Sequence, residues 1–399
     1  MRNELRHVQA DEVAVLPSYI PALLMLAAAP GLAQLAQGVR IWVSGGHYLA
    51  FGDGLNLWSG AHLALKGQLP VVFDPALYAD WFAARFGGDV HTWSYPPSYL
   101  LQALPFGLLP VAAGILCFDI VSVLCLFLAL RASRLSWGLA VAVLACPTAL
   151  TSLSGSQNGA LFASLIIAGL FLSEDRPWFG GVLLGLATMK PQLGLLIPVY
   201  WVARGNWRAI LAAALAAATL ILLSAWAFTP QSWSWFADKI MPFMQHVMVA
   251  LVAKAHGGPR AMIVSSFSEA WQIGLGGAAQ YIQAGSTLLA VALAWRLGRA
   301  GAVPACERLA WLMLLGVLAT PYIWCYDMIP ASLGVAILFQ QPERGIAARV
   351  ALAALWAAPG FAPYAAIFGL PSFVPVLILL LLALAWPSRK NRRPSLAHG

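Results

Sequence analysis

One lysine, Lys190, followed by Pro191, sits at the centre of the otherwise apolar run GVLLGLATMKPQLGLLIPVYWV (residues 181–202). A lysine at mid-bilayer costs about 2.5 to 3.5 kcal/mol even on the lenient insertion scale, so it is kept for a ligand, a partner or water. A cation at that depth suits an anion arriving through the bilayer, and a lipid phosphate is the first candidate. The competing reading is a structural lysine paired with a buried acid, for which Asp119, inside another apolar run, is available. Asp327, in LATPYIWCYDMIP (318–330), is a second carboxylate at depth and just as much in need of a reason.

Other polar residues admit two readings each. Asp53, between Gly52 and Gly54, has the type and position of a cap on a helix beginning near Leu55. Gln157 and Asn158 fit helix capping and ligand contact equally, since amides are common at such turns. Tyr322 and Tyr326 have the usual place of interface anchors at the end of a span. Tyr95-Pro96-Pro97 fixes a rigid entry to the next helix. His47, His62, His91, His246 and His256 show no i, i+4 pairing, so no metal is assigned to them.

The elements that position these residues follow from the solvent. With 61% apolar and 10% charged residues, the chain lies far from a soluble domain, in which about a quarter of residues are charged. It reads as an all-α polytopic membrane protein. The 17 Trp and 10 Tyr, many near the ends of apolar runs, fit the membrane interface. The five cysteines show neither disulfide nor metal spacing. A net charge of +8 arises from short arginine clusters between apolar runs, with no basic stripe interleaved with aromatics, so nucleic acid is not an expected partner.

The first span is expected near 17–43, after a cytoplasmic N-terminus of residues 1–16; a single transmembrane domain then runs to 387, followed by a basic cytoplasmic tail, 388–399. Further spans are expected near 112–131, 137–153, 158–173, 208–228, 278–299, 309–322, 326–340, 346–362 and 371–387. A cytoplasmic N-terminus places sixteen of the 23 basic residues inside, which the positive-inside rule favours. Loops at about 44–96 and 229–277 then face outward, and the first carries two amphipathic helices, 56–67 and 75–87, expected on the membrane surface. Arg176 and Arg204 flank the lysine segment with the same cytoplasmic character. The 26 residues from Trp178 to Ala203 are therefore expected as a re-entrant hairpin that breaks at Met189-Lys190-Pro191, with Lys190 aimed into an outward cavity.

Four stretches in order, FGDGLNLWSGAHLALKGQLPVVFDPALY (51–78), WSYPPSYLLQALPFGLLP (93–110), LSGSQNGALFASLIIAGLFLSEDRPWFGGVLLGLATMKPQLGLLIPV (153–199) and LATPYIWCYDMIP, resemble glycosyltransferase family 87 of the GT-C superfamily. The resemblance implies a GT-C-type bundle of about 10–13 transmembrane or re-entrant helices. It also implies transfer of a hexose, mannose among the candidates, from a polyprenyl-phosphate carrier to an extracytoplasmic lipid or glycan acceptor, with inversion, at a bacterial-type plasma membrane. The family's first-loop aspartate corresponds to Asp53, with Gly54 where an aromatic is usual. Its Gly-Gln-Asn corresponds to Gly155, Gln157 and Asn158 with Ser156 inserted, its Lys-Pro to Lys190 and Pro191, and its Pro-Tyr and Tyr-Asp to Pro321, Tyr322, Tyr326 and Asp327.

On this resemblance Asp53 is the expected general base. Lys190 is an expected phosphate ligand, and Gln157, Asn158, Tyr95, Tyr322, Tyr326 and Asp327 are the expected substrate contacts; His256 and Arg260, close together in KAHGGPRAM and outside the family's motifs, are expected on the donor side by that proximity, with Arg260 a second phosphate ligand. No cofactor is called for, and assistance by a divalent cation stays open. The chain has no Asp-x-Asp pair for a metal-bound nucleotide diphosphate, which disfavours a nucleotide-sugar donor. The rival function is a transporter or flippase of lipid-linked sugars, which also needs buried charge and broken helices but predicts inverted repeats. No second copy of the QNG…KPQ unit follows residue 210.

Overall fold

The computed structural model describes residues 27–43, 52–87, 91–253, 262–365 and 368–387. Helix α1 (Ala29–Val43) precedes the loop helices α2 (Gly54–Leu65) and α3 (Pro75–Phe86), then α4 (Pro97–Gly107) and α5 (Val111–Ala132). Helices α6 (Trp137–Leu144) and α7 (Pro147–Ser154) form a bent pair at 45°, broken where Pro147 withdraws a backbone donor. Next come α8 (Gly159–Ser173), α9 (Pro177–Leu186), α10 (Leu196–Arg204), α11 (Trp207–Phe228) and α12 (Gln231–Ala253). The chain continues as α13 (Ser266–Gln272), α14 (Ala279–Arg299), α15 (Ala305–Ala319), α16 (Ile329–Phe339), α17 (Ile346–Ala365) and α18 (Val374–Ala385). Among the described residues there is no β-strand, only an isolated bridge between Ile263 and Trp324.

The protein is the expected all-α polytopic membrane protein. Helices α5, α11, α12 and α17 are long and apolar enough to cross a membrane, and the bent pair makes a fifth candidate span. Helices α8, α16 and α18 are apolar but shorter, so much of the bundle consists of short or broken elements. On α5, Leu116, Ile120, Leu124 and Leu128 recur every fourth residue and are all at least half exposed, the stripe a helix presents to lipid. The opposite face, with Ile115, Phe118, Ser122 and Leu126, is buried.

The lysine segment breaks where the sequence requires. Helix α9 ends at Leu186, short 3-10 turns span Ala187–Met189 and Pro191–Gly194, and α10 resumes at Leu196, with Lys190 between the turns. Both ends of this hairpin lie on one face. The Asn206 amide donates to the Ser173 carbonyl at 3.1 Å, and Arg204 lies 3.7 Å from Glu174. Helices α9 and α11 therefore run parallel, with Gly181 against Ala209 and Ala212, and Gly185 against Ala213 and Ala216. This Gly-xxx-Gly face on an alanine-rich helix is the small-residue contact that lets helices approach where lipid supplies no hydrophobic drive. Glu174, at the base of the hairpin, also accepts from Tyr200 at 2.9 Å and from Arg308 at 2.9 Å, tying the base to α15.

One loop expectation needs correction. Helix α2 does not lie on the surface: nine of its twelve residues are buried. It is enclosed because α4 and α5 pack on it and the Trp93 ring lies flat against Gly60, where a Cβ would come within 2.3 Å of the indole. Residues 231–253, expected within the second outward loop, form the long helix α12; Lys239 holds it to Asp74 of the first loop at 2.8 Å.

The hairpin makes a direct topological prediction. In a chain with its own cysteines replaced, Arg176→Cys and Arg208→Cys are labelled by an impermeant maleimide from the same membrane face. Labelling from opposite faces would make residues 178–203 a single crossing.

Candidate active site

Asp53 occupies the N-cap position of α2 but does not cap it: its side chain makes no hydrogen bond to the first turn. Asp74, at the start of α3, shows what a capping aspartate does in the same loop, accepting from the backbone of Ala76 at 3.2 Å and Leu77 at 3.3 Å. The Asp53 carboxylate turns away from its helix. One oxygen accepts a short hydrogen bond from the Gln157 amide, and the other lies 3.3 Å from Nδ1 of His91. The side chain keeps 41% of its exposure, so it remains reachable. Burial of its surroundings pushes the carboxyl up, but the His91 ring, the Gln157 amide and the Lys190 charge outweigh that and hold it below the usual aspartate value.

Close backbone packing brings Asp53 and Gln157 together. Gly52, in the left-handed region at φ 50°, lies against Gly155, where a Cβ would stand 3.2 Å from the Gly155 backbone. A Cβ on Gly54 would stand 2.6 Å from that of Ser156. Ser156 itself adopts φ 46°, and its hydroxyl donates to Asp119 at 2.8 Å. Gly54 and Ser156, the two departures from the family pattern, thus meet, and the inserted serine fills space that a side chain at 54 would need.

Neither amide acts as a helix cap. Gln157 donates to Asp53, and Asn158 sits at the N-cap of α8 without a side-chain cap bond. The buried Asn158 amide faces the Tyr99 hydroxyl, and beyond that neighbour neither has a protein hydrogen-bond partner. A buried amide left open in this way is a ready contact for a polar ligand.

Lys190 donates to Asp327 at 2.6 Å, and both side chains are more than nine-tenths buried. The structural partner expected in Asp119 is therefore Asp327, because Asp119 is drawn to Ser156. The Lys190 ammonium also stands 5.1 Å above the Tyr326 ring, which Trp324 stacks at 5.7 Å. Tyr326 is only 5% exposed, so it is no interface anchor. Tyr322 packs edge-on against Trp324 at 5.7 Å, and Tyr95 stands 4.7 Å from Tyr99. Tyr95, Tyr322 and Tyr326 all lie within electrostatic reach of both Asp53 and Asp327, so the fold brings residues from four separate stretches near one another. His256 and Arg260 lie outside the described residues.

Nothing in the sequence marks His91 as the partner of Asp53. It is 38 residues away, one of several loop histidines, and only the folding of Trp93 onto α2 delivers it.

A multispanning membrane bundle with a reachable carboxylate near a buried lysine is the class of protein that fold and site define. Glycosyltransferase family 87 matches residues 93–321, more than half of the chain. The chain belongs to glycosyltransferase family 87, a membrane glycosyltransferase family, which sets transfer above transport. The matched region contains Tyr95, Gln157, Asn158 and Lys190; Asp53 lies outside it and stands on its own geometry. No curated protein and no solved structure matched the chain.

Two outcomes follow. Lys190→Ala strands the Asp327 carboxylate and lowers stability by about 3–5 kcal/mol, as removal of one partner from a buried pair does. Adding Asp327→Asn to that variant raises the melting temperature again, whereas a double variant less stable than the single one would deny the pair. Activity that needs ionised Asp53 falls only as pH drops through its lowered pKa. His91→Ala removes the main opposition to burial, so the acid limb of kcat/KM moves to higher pH; an unmoved limb would separate His91 from Asp53.

Proposed function

We propose that the chain transfers a hexose, with mannose the first candidate, from a polyprenyl-phosphate carrier to a lipid or glycan acceptor on the extracytoplasmic side of a bacterial-type plasma membrane. The acceptor hydroxyl attacks the anomeric carbon and gives its proton to Asp53. The bond from that carbon to the phosphate oxygen breaks, and its electron pair leaves with the phosphate. A phosphate leaving group needs little protonation, so one general base suffices, unlike the carboxyl pair of glycoside hydrolysis.

The observation that carries this reading is Asp53: a reachable carboxylate at a helix start, freed from capping and held below its usual pKa, with a lysine in electrostatic reach. Lys190 has three donors, of which Asp327 takes one, and offers the others to the phosphate. Arg260 is proposed as a second phosphate ligand and His256 as its neighbour on the donor side. Gln157, Asn158, Tyr95, Tyr322, Tyr326 and Asp327 line the sugar. The apolar surface formed by Phe162, Ile166, Leu193, Leu312 and Val317, with Asp327 as its single charged neighbour, is the proposed approach of the isoprenoid.

The test is incubation of the purified chain with radiolabelled polyprenyl-phosphate sugars and a total lipid extract. Product forms with wild type, and Asp53→Asn loses about a hundred- to ten-thousand-fold in transfer while keeping expression, thermal stability and donor binding. Turnover close to wild type in Asp53→Asn would remove Asp53 from the mechanism. Transfer from a nucleotide sugar alone would remove the carrier.

A further inference from the structure

Away from Asp53, the other end of α2 opens into a cavity of about 800 Å³, bounded by the end of α3 and the turn between α4 and α5. Its charged or titratable lining residues are His62, Lys66 and Arg85, with no carboxylate among them. Trp58, His62 and Lys66 recur at i, i+4 and i+8 and so share one face of α2. Among the described residues no carboxylate pairs with Lys66 or Arg85. Arg85 is held instead by aromatic rings, its guanidinium carbon 5.6 Å from Trp58, 5.9 Å from Trp81 and 5.7 Å from Phe86. The imidazole of His62 stacks on Trp58 at 4.4 Å; burial, and then the charges of Arg85 and Lys66, hold it below the usual histidine value. The cavity is therefore electropositive, and among the described residues no carboxylate balances Lys66 and Arg85.

Its position identifies the kind of anion. The floor is the first turn of α5, a candidate membrane span whose far end carries Arg131 of the cytoplasmic-type clusters. The rim carries Leu108, 72% exposed, and Leu109, whose carbonyl accepts from the Trp58 indole at 2.9 Å. Cations and indoles at a span end, beside exposed leucines, mark the boundary between headgroups and hydrocarbon. A free phosphate would use neither the leucines nor most of the volume.

We propose that this cavity binds the phosphate-bearing head group of an anionic lipid, with Lys66 and Arg85 on the phosphate and Leu108 and Leu109 against the first methylenes of the chains. The site is separate from the proposed base: thirteen residues of helix between Asp53 and Lys66 span about 20 Å. It does not depend on the glycosyl-transfer reading.

The purified full chain in neutral detergent is titrated with phosphatidylglycerol, with phosphatidylcholine and with inorganic phosphate, and bound lipid is counted by native mass spectrometry. Phosphatidylglycerol is expected to bind in preference to phosphatidylcholine. Lys66→Gln/Arg85→Gln should weaken it at least about tenfold. Both side chains are exposed and free of ion pairs among the described residues, so the fold tolerates the change, which a melting curve verifies. Lys66→Arg/Arg85→Lys, which keeps the charge, should retain binding, as should Lys239→Ala, which removes a cation of α12 outside the cavity. Equal binding of the two lipids, or undiminished phosphatidylglycerol binding by the double Gln variant, would overturn the site. Displacement of the lipid by inorganic phosphate at comparable concentration would make it a free-phosphate site and overturn the lipid assignment.

Discussion

Two opposite charges in an apolar interior can persist only together, and the Lys190–Asp327 pair is the constraint on which the rest of the site depends. Either charge alone at that depth would cost several kilocalories per mole. Their pairing pulls the apex of the α9–α10 hairpin against the segment between α15 and α16. The start of α8 follows, since Gly159 lies so close to the Tyr326 carbonyl that a Cβ there would come within 2.3 Å. That contact fixes the turn carrying Gln157 and Asn158, and Gln157 in turn holds Asp53. A buried ion pair thus sets the position of a carboxylate that it does not touch.

The division of labour among the acids has the same physical basis. Four acids show it by their partners: Asp327 with a lysine, Asp119 with the Ser156 hydroxyl, Glu174 with Tyr200 and arginines, and Asp53 with an amide and a histidine. Of these four, Asp53 keeps a side chain 41% exposed and is held by neither lysine nor arginine. A carboxylate bound to Arg308 is committed to structure; one bound to a neutral amide can still take a proton.

Local chemistry made the break at Lys190 and Pro191 legible in the sequence, because a charge followed by a residue without an amide hydrogen cannot continue an apolar helix. The matching arginines at 176 and 204 made the return of the hairpin legible too. The identity of the lysine's partner was not, since two carboxylates lie at depth and the choice between them is made 137 residues away. The burial of α2 was hidden for a related reason: an apolar face reads the same whether it meets lipid or protein. His91 carried no signal at all. Gly54 and Ser156 look like separate departures from a motif and make sense only once their contact is seen.

The central claim is that one carboxylate drives a single displacement at the anomeric carbon, and the configuration of the product tests it most directly. The linkage made from a polyprenyl-phosphate sugar of known configuration is read from the anomeric proton and carbon coupling by NMR. The account predicts inversion. A product with retained configuration would require a second nucleophile or a different chemistry, and would contradict the assignment of Asp53 as the lone base.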